Sequence, residues 1–139
     1  MKFVAGPSPL SYGVPGVRRV TMVDATVPPP APNEVYFAKG ATDRKGKVPE
    51  ALPGAAAFID YSVLSDGSVY IHYVTTRRDL RKQGYGALLL EHFLRSVEKD
   101  GVPSVDFGRI LSDPMEKLFL RWRRLSDDGK YRPRVYGKL

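Results

Sequence analysis

Residues 69–99, VYIHYVTTRRDLRKQGYGALLLEHFLRSVEK, decide how this chain is built. The first eight are rich in β-branched and aromatic side chains and read as a strand. From Tyr85 the period changes. Tyr85, Leu89, Phe93 and Val97 fall four apart, and Leu90 and Leu94 widen that stripe into the apolar face of a helix ending near Asp100–Gly101. Between strand and helix lies RKQGYG, residues 81–86, with two glycines flanked by Arg81 and Lys82. A helix start leaves its first N–H groups unpaired and carries the positive end of the helix dipole, so anions bind there readily. Gly84 and Gly86 bare the backbone where a phosphate would touch it. Neither GxxxxGK[ST] nor GxGxxG is present, so the junction is another kind of phosphate cradle or a plain glycine-rich turn.

Working outward, AAAFIDYSVL (55–64) and SVYIHYVTT (68–76) are separated by SDG, which predicts two long antiparallel strands in a hairpin. After the helix, VPSVDFGRIL (102–111) reads as a further strand. SDPMEKLFLRWRRL (112–125) predicts a second helix with Asp113 as N-cap, Pro114 at its first position and Glu116 closing a capping box. Met115, Leu118, Phe119, Trp122 and Leu125 make its apolar face. KYRPRVYGKL (130–139) is expected to be an edge strand, where Pro133 is tolerated.

The N-terminal part is less regular. Residues 1–16 hold three prolines and three glycines with little periodicity, and GVRRVTMV (16–23) gives a first strand. DATVPPPAPN (24–33) reads as an extended polyproline connection, EVYFAKG (34–40) as a second strand, and TDRKGKVPEALPG (42–54) as a polar loop. The expected class is α+β, with a mixed, mostly antiparallel central sheet and helices packed on it. One domain is expected over residues 1–139: an irregular Pro-rich part with two strands (1–54), a core (55–126) and a basic C-terminal edge strand (127–139).

The chain has 139 residues, 42% apolar, enough to bury a core. It has no cysteine, which excludes disulfides, zinc–thiolate sites, iron–sulfur clusters and cysteine nucleophiles. No metal site is expected. The N-terminus lacks the apolar region of a signal peptide, and no run is long enough to span a membrane, so a soluble cytoplasmic protein is expected. The net charge is +7, and eight basic residues against Asp127 and Asp128 put six of those charges in the last 23 positions. Such a field favours polyanions.

Arg81-Lys82-Gln83-Gly84-Tyr85-Gly86 resembles the R/Q-x-x-G-x-G/A motif of the GNAT N-acyltransferase superfamily. Its setting is similar too: a long hairpin before, a Leu-rich helix after, then strand, helix and strand, over roughly residues 55–126. The resemblance implies a GNAT-like fold that binds acetyl-CoA or another acyl-CoA, with the loop N–H groups of residues 81–86 on its pyrophosphate. It implies that Val74, Thr75 and Thr76 hold the pantetheine through main chain. It also implies that the strands flanking the first helix splay apart to admit the thioester, and that a strand N–H helps polarise its carbonyl. Transfer would be direct, to an amine on a small molecule or a protein.

The catalytic pattern departs from that family. The strand before the loop carries no carboxylate after Asp66. Tyr70 and His72 share one face of it by period two, and His72 has the intrinsic pKa of a base; packing roles are the alternative for both. His92 reads as a surface or boundary histidine. The second helix, where the family often has N-x-x-A-x-x-x-Y, offers Ser112 at the Asn position and Phe119 or Trp122 at the Tyr. A phenol could come from Tyr131 or Tyr136 downstream, with Tyr131 the candidate retained, or the leaving thiolate could be protonated through water. The proline-rich connection stands where GNATs place acceptor-side helices, which suggests an open pocket.

RWRRLSDDGKYRPRVYGK interleaves cations with Trp122, Tyr131 and Tyr136. That pattern admits a nucleic-acid partner through Arg121, Arg123, Arg124, Lys130, Arg132 and Arg134, or a solvated helix face and protected edge strand, with Trp122 in the core. Two alternatives therefore stand beside acyl transfer to an amine. One is base modification on the same fold, as in the Mom-type DNA-modifying proteins of phages; the other is a basic nucleic-acid-binding module that uses no cofactor.

Overall fold

A computed structural model describes residues 1–27 and 54–139. Six strands form one sheet in sequence order: β1 (Lys2–Pro7), β2 (Arg18–Val23), β3 (Ala55–Val63), β4 (Val69–Thr76), β5 (Ser104–Arg109) and β6 (Arg134–Lys138). The first four pair antiparallel, whereas β4–β5 and β5–β6 are parallel. Parallel neighbours need a crossover. Helices α1 (Tyr85–Lys99) and α2 (Asp113–Asp127) provide the two, giving the α+β class with a mixed, mostly antiparallel sheet.

The alternation within β3 assigns the two faces of the sheet. Ala57, Ile59 and Tyr61 join the main core with Leu89, Leu90, Phe93 and Leu94 of α1 and Phe119 and Trp122 of α2. Phe58 points the other way, into a smaller cluster with Leu10, Ala55, Tyr12 and Tyr73. Both helices therefore share one side. Among the described residues, the segment between β1 and β2 covers part of the other.

Three differences from the sequence reading have physical causes. Residues 2–7, read as irregular, form β1, which is at the edge among the described strands and is registered from Lys2↔Val23 to Pro7↔Arg18; pairing with β2 overrides the poor propensity of its Gly and Pro. The N-cap of α2 is Ser112 rather than Asp113: its backbone is extended and its Oγ accepts from the Met115 N–H at 3.3 Å. Pro114 then occupies the second helical position, and Glu116 lies one residue beyond the capping-box position. Of DATVPPPAPN, residues 24–27 form a turn in which Asp24 Oδ1 accepts from Thr26 N–H and Oγ1. Residues 28–33, the EVYFAKG strand and residues 42–53 lie outside the described part.

Candidate functional site

Two irregularities of the sheet make the site. In the β3–β4 pair, Asp60 faces Tyr73 and Tyr61 faces Ile71, so His72 is the extra residue of a β-bulge. In the β4–β5 pair, the register holds only Val69↔Val105 and Tyr70↔Asp106. Beyond Tyr70 the two strands part. Val74, Thr75 and Thr76 stay registered with Ile59, Phe58 and Ala57 of β3, and no described strand pairs with their other edge.

The loop 81–86 stands at the mouth of that opening. After β4, the Arg77 N–H donates to Ala56 O at 2.8 Å, and the buried Arg77 guanidinium donates to both oxygens of Asp79 at 2.7 Å. One 3-10 turn (Arg78–Leu80) follows, anchored by buried Leu80. The chain then reverses through Lys82 at φ 65° and Gly84 at φ 83°, and Gly84 is the N-cap of α1.

The two glycines do different work. Gly84 takes a left-handed conformation in open space, with nothing within 4 Å of where a Cβ would stand, while a Cβ on Gly86 would stand 3.1 Å from Thr76 Oγ1. The first helical bond is Leu88 N–H to Gly84 O. Among the described residues, none accepts a hydrogen bond from the backbone N–H groups of Arg81 to Ala87. Arg81, Lys82 and Gln83 are exposed. Tyr85 is half-buried and its hydroxyl donates to Asp24 Oδ2 at 3.3 Å. Donors, dipole and cations thus converge on one spot that fits a pyrophosphate. Ser112, exposed at the start of α2, follows the same end of β5 as the loop follows of β4, and its Oγ is engaged by Met115 N–H.

His72 and Tyr70 are brought together on the face opposite the helices, with rings 5.1 Å apart edge to face. His72 Nε2 and Ser62 Oγ share a hydrogen bond of 2.6 Å. Burial lowers the His72 pKa below its ordinary value, partly offset by the charge of Asp60. Tyr70 extends toward β5, where its hydroxyl lies against Gly108.

Tyr131 lies elsewhere. Its ring is buried on the helix side against Trp122, its hydroxyl donates to Leu94 O at 2.8 Å, and burial raises its pKa. His92 is exposed and stacks on Phe3 at 3.6 Å. Phe119 and Trp122 are both core residues.

Sequence reasoning missed Tyr12, Arg19 and Asp60. Asp60 is fully buried on β3; it accepts from Arg19 Nε and Nη2 at 2.7 and 2.9 Å and from the Tyr12 hydroxyl at 2.6 Å. A lone carboxylate inside the apolar run AAAFIDYSV was the available signal, since such a group is buried only with partners.

Residues 54–117 match the acetyltransferase (GNAT) domain family. The matched segment contains the loop motif and most of the core whose setting resembles that family. Among solved structures, the ribosomal-protein-S18-alanine N-acetyltransferase of Escherichia coli is 26% identical, with a TM-score of 0.43, over 50% of this chain and 44% of that one. The KacTA–DNA complex is similar at 16% identity and a TM-score of 0.45, over 76% of this chain and 57% of that one. A protein of Bacillus anthracis assigned as a streptothricin acetyltransferase, solved with acetyl coenzyme A, is similar at 14% identity and a TM-score of 0.35, over 76% of this chain and 73% of that one. The chain thus spans less than two thirds of the first two structures it matches. No curated protein sequence matches it.

Proposed function

We propose that this chain is an acyl-CoA-dependent N-acyltransferase, using acetyl-CoA or a related donor, which passes the acyl group directly to an amine of a small molecule or protein. The observation that carries this reading is the parting of β4 from β5 after Tyr70, with the glycine loop at its mouth. In this reading the N–H groups of residues 81–86 hold the pyrophosphate, with Arg81 and Lys82 adding charge. The open edge at Val74, Thr75 and Thr76 takes the pantetheine, and Ser112 borders the same mouth. The thioester lies between the strands, where the amine attacks its carbonyl carbon, the C–S bond breaks and the thiolate takes a proton. His72 accepts the proton of the amine, and Tyr70, at the last β4–β5 register pair, borders the opening. We take residues 1–139 as one domain working in the cytoplasm.

Gly84 tests the reading. Gly84→Asn keeps a residue that tolerates the left-handed conformation, whereas Gly84→Asp adds a negative charge where the phosphates would sit. Calorimetry with acetyl-CoA is expected to detect binding to the Asn variant and none to the folded Asp variant. Equal affinity in both would overturn the placement.

A second reading is favoured by the charge at the far end of α1. Arg121, Arg123, Arg124, Lys130, Arg132 and Arg134 are all exposed, and Arg95, Lys99, Lys130 and Arg132 line a shallow cleft with Glu98. This surface suits nucleic-acid phosphates, serving either base modification or binding without catalysis. Trp122 and Tyr131 are buried and Tyr136 is exposed, so of the three interleaved aromatics Tyr136 is the one open to a base, and the surface would act mainly through charge. Binding to a DNA duplex at low salt should weaken as salt rises and fall in the variant carrying Arg121→Ala, Arg123→Ala and Arg124→Ala. Unchanged binding would exclude this surface.

A further inference from the structure

The face of the sheet opposite the helices carries a buried charge network that the acyl-transfer steps above do not use. Asp60 sits on β3 beside Ser62, facing the bulge of β4. Arg19 of β2 is its cross-strand neighbour, bonds it twice, and lays its guanidinium 3.6 Å from the centre of the Phe58 ring. The third bond to Asp60 comes from Tyr12, in the segment between β1 and β2, a non-glycine residue held at φ 50°. The Tyr12 ring lies nearly flat on His72, with centres 4.8 Å apart and planes 12° apart.

A buried ion pair is weak grounds for stability, because apolar residues of similar volume stabilise as well. A left-handed tyrosine adds a conformational cost, and such strain gathers at functional sites. What the network achieves is the placement of one ring. Arg19 fixes Asp60, Asp60 fixes the Tyr12 hydroxyl, and the Tyr12 ring fixes the plane of His72.

We infer that Tyr12 is a positioning residue for His72, anchored by the Arg19–Asp60 pair, so that the imidazole presents one defined nitrogen to the acceptor side. This rests on the acyl-transfer reading only for the purpose of that nitrogen. Ser62 engages Nε2, and Nδ1 has no hydrogen-bond partner among the described residues. With the proton on Nε2 and donated to Ser62 Oγ, Nδ1 keeps the lone pair that accepts a proton. The groups facing the ring are Tyr12 from the β1–β2 segment, Asp60 and Ser62 from β3 and Tyr70 from β4. Arg19 acts through Asp60.

The test is an NMR titration of the imidazole signals of the intact chain, with His92→Gln separating its two histidines. A ring stacked face-on shifts the His72 carbon-bound protons upfield. Tyr12→Leu is expected to abolish that shift and raise the midpoint, by roughly half a pH unit or more as the ring regains water. Tyr12→Phe keeps the ring but loses its anchor on Asp60, so it should reduce the upfield shift without abolishing it and raise the midpoint by a smaller amount, because Asp60 loses a donor and its charge is felt more strongly. A folded Tyr12→Leu protein with unchanged shift and midpoint overturns the inference; if that variant does not fold, an unchanged midpoint in Tyr12→Phe does so. Acetyl-CoA binding, followed by calorimetry on the same proteins, is expected to persist in both variants. Its absence from the wild-type chain would overturn the acyl-transfer reading while leaving the His72 result standing.

Discussion

The Tyr70 hydroxyl occupies the space beside Gly108 that a side chain would need: a Cβ on residue 108 would lie 2.8 Å from that oxygen and 3.2 Å from Cζ. Gly108 has φ 65° and follows the last β4–β5 register pair, Tyr70↔Asp106. The phenol is therefore held at the root of the opening. Gly108→Ala meets both a steric clash and a strained backbone, and it should cost about 2–4 kcal/mol of stability. Tyr70→Leu in the same chain should return part of that loss. Urea unfolding of the single and double variants checks the pair, and additive losses would show that the two residues do not compete for space.

Asp60 and Arg19 should be far less replaceable than an exposed pair. Asp60→Ala leaves the largely buried Arg19 guanidinium and the Tyr12 hydroxyl without their acceptor. The expected loss is about 3–5 kcal/mol, against about 0–1 kcal/mol for Glu98→Gln in the exposed Arg95–Glu98 pair. Comparable losses in denaturant melts would contradict the burial assigned to Asp60.

Tyr131 serves the core in this structure. Tyr131→Phe removes one hydrogen bond to Leu94 O and should cost about 1 kcal/mol. Acetyl-CoA affinity should not move. A variant of normal stability with altered acyl transfer would instead return Tyr131 to the chemistry.

His72 gives the pH dependence a sign. Its folded-state pKa lies below its ordinary 6.5, so between those two values the unfolded chain binds more protons than the folded one. Stability is therefore complete above about pH 6.5 and declines as pH falls through that window. His72→Gln should flatten this part of the stability profile relative to the wild-type chain. Denaturant midpoints between pH 5 and 8 check the comparison.

Much of the fold was legible because the informative residues repeat. The helix stripe Tyr85–Leu89–Phe93–Val97 and the flanking runs at 55–64 and 68–76 carry their periods openly, and α1, β3 and β4 begin and end close to where those periods do. β1 was not legible, since KFVAGP becomes a strand only by pairing with β2. Ser112 and Asp113 are equally good caps by residue type, and only backbone conformation distinguishes them. The loop glycines were readable as bare backbone, but their division of labour depends on φ at Gly84 and on the nearness of Thr76 to Gly86. The bulge that sets His72 apart leaves no mark in VYIHYVTT. Nor does sequence distance hint that Tyr12, 60 residues away, lies on its ring.

The central claim is that RKQGYG holds the pyrophosphate of an acyl-CoA, and calorimetric titration of the wild-type chain with acetyl-CoA tests it most directly. The account predicts one site of micromolar affinity, about −8 kcal/mol, with a rise in melting temperature on saturation. The absence of both heat and a thermal shift at millimolar acetyl-CoA would contradict it, making the two glycines a turn and leaving the basic surface of α2 and β6 as the better guide to function.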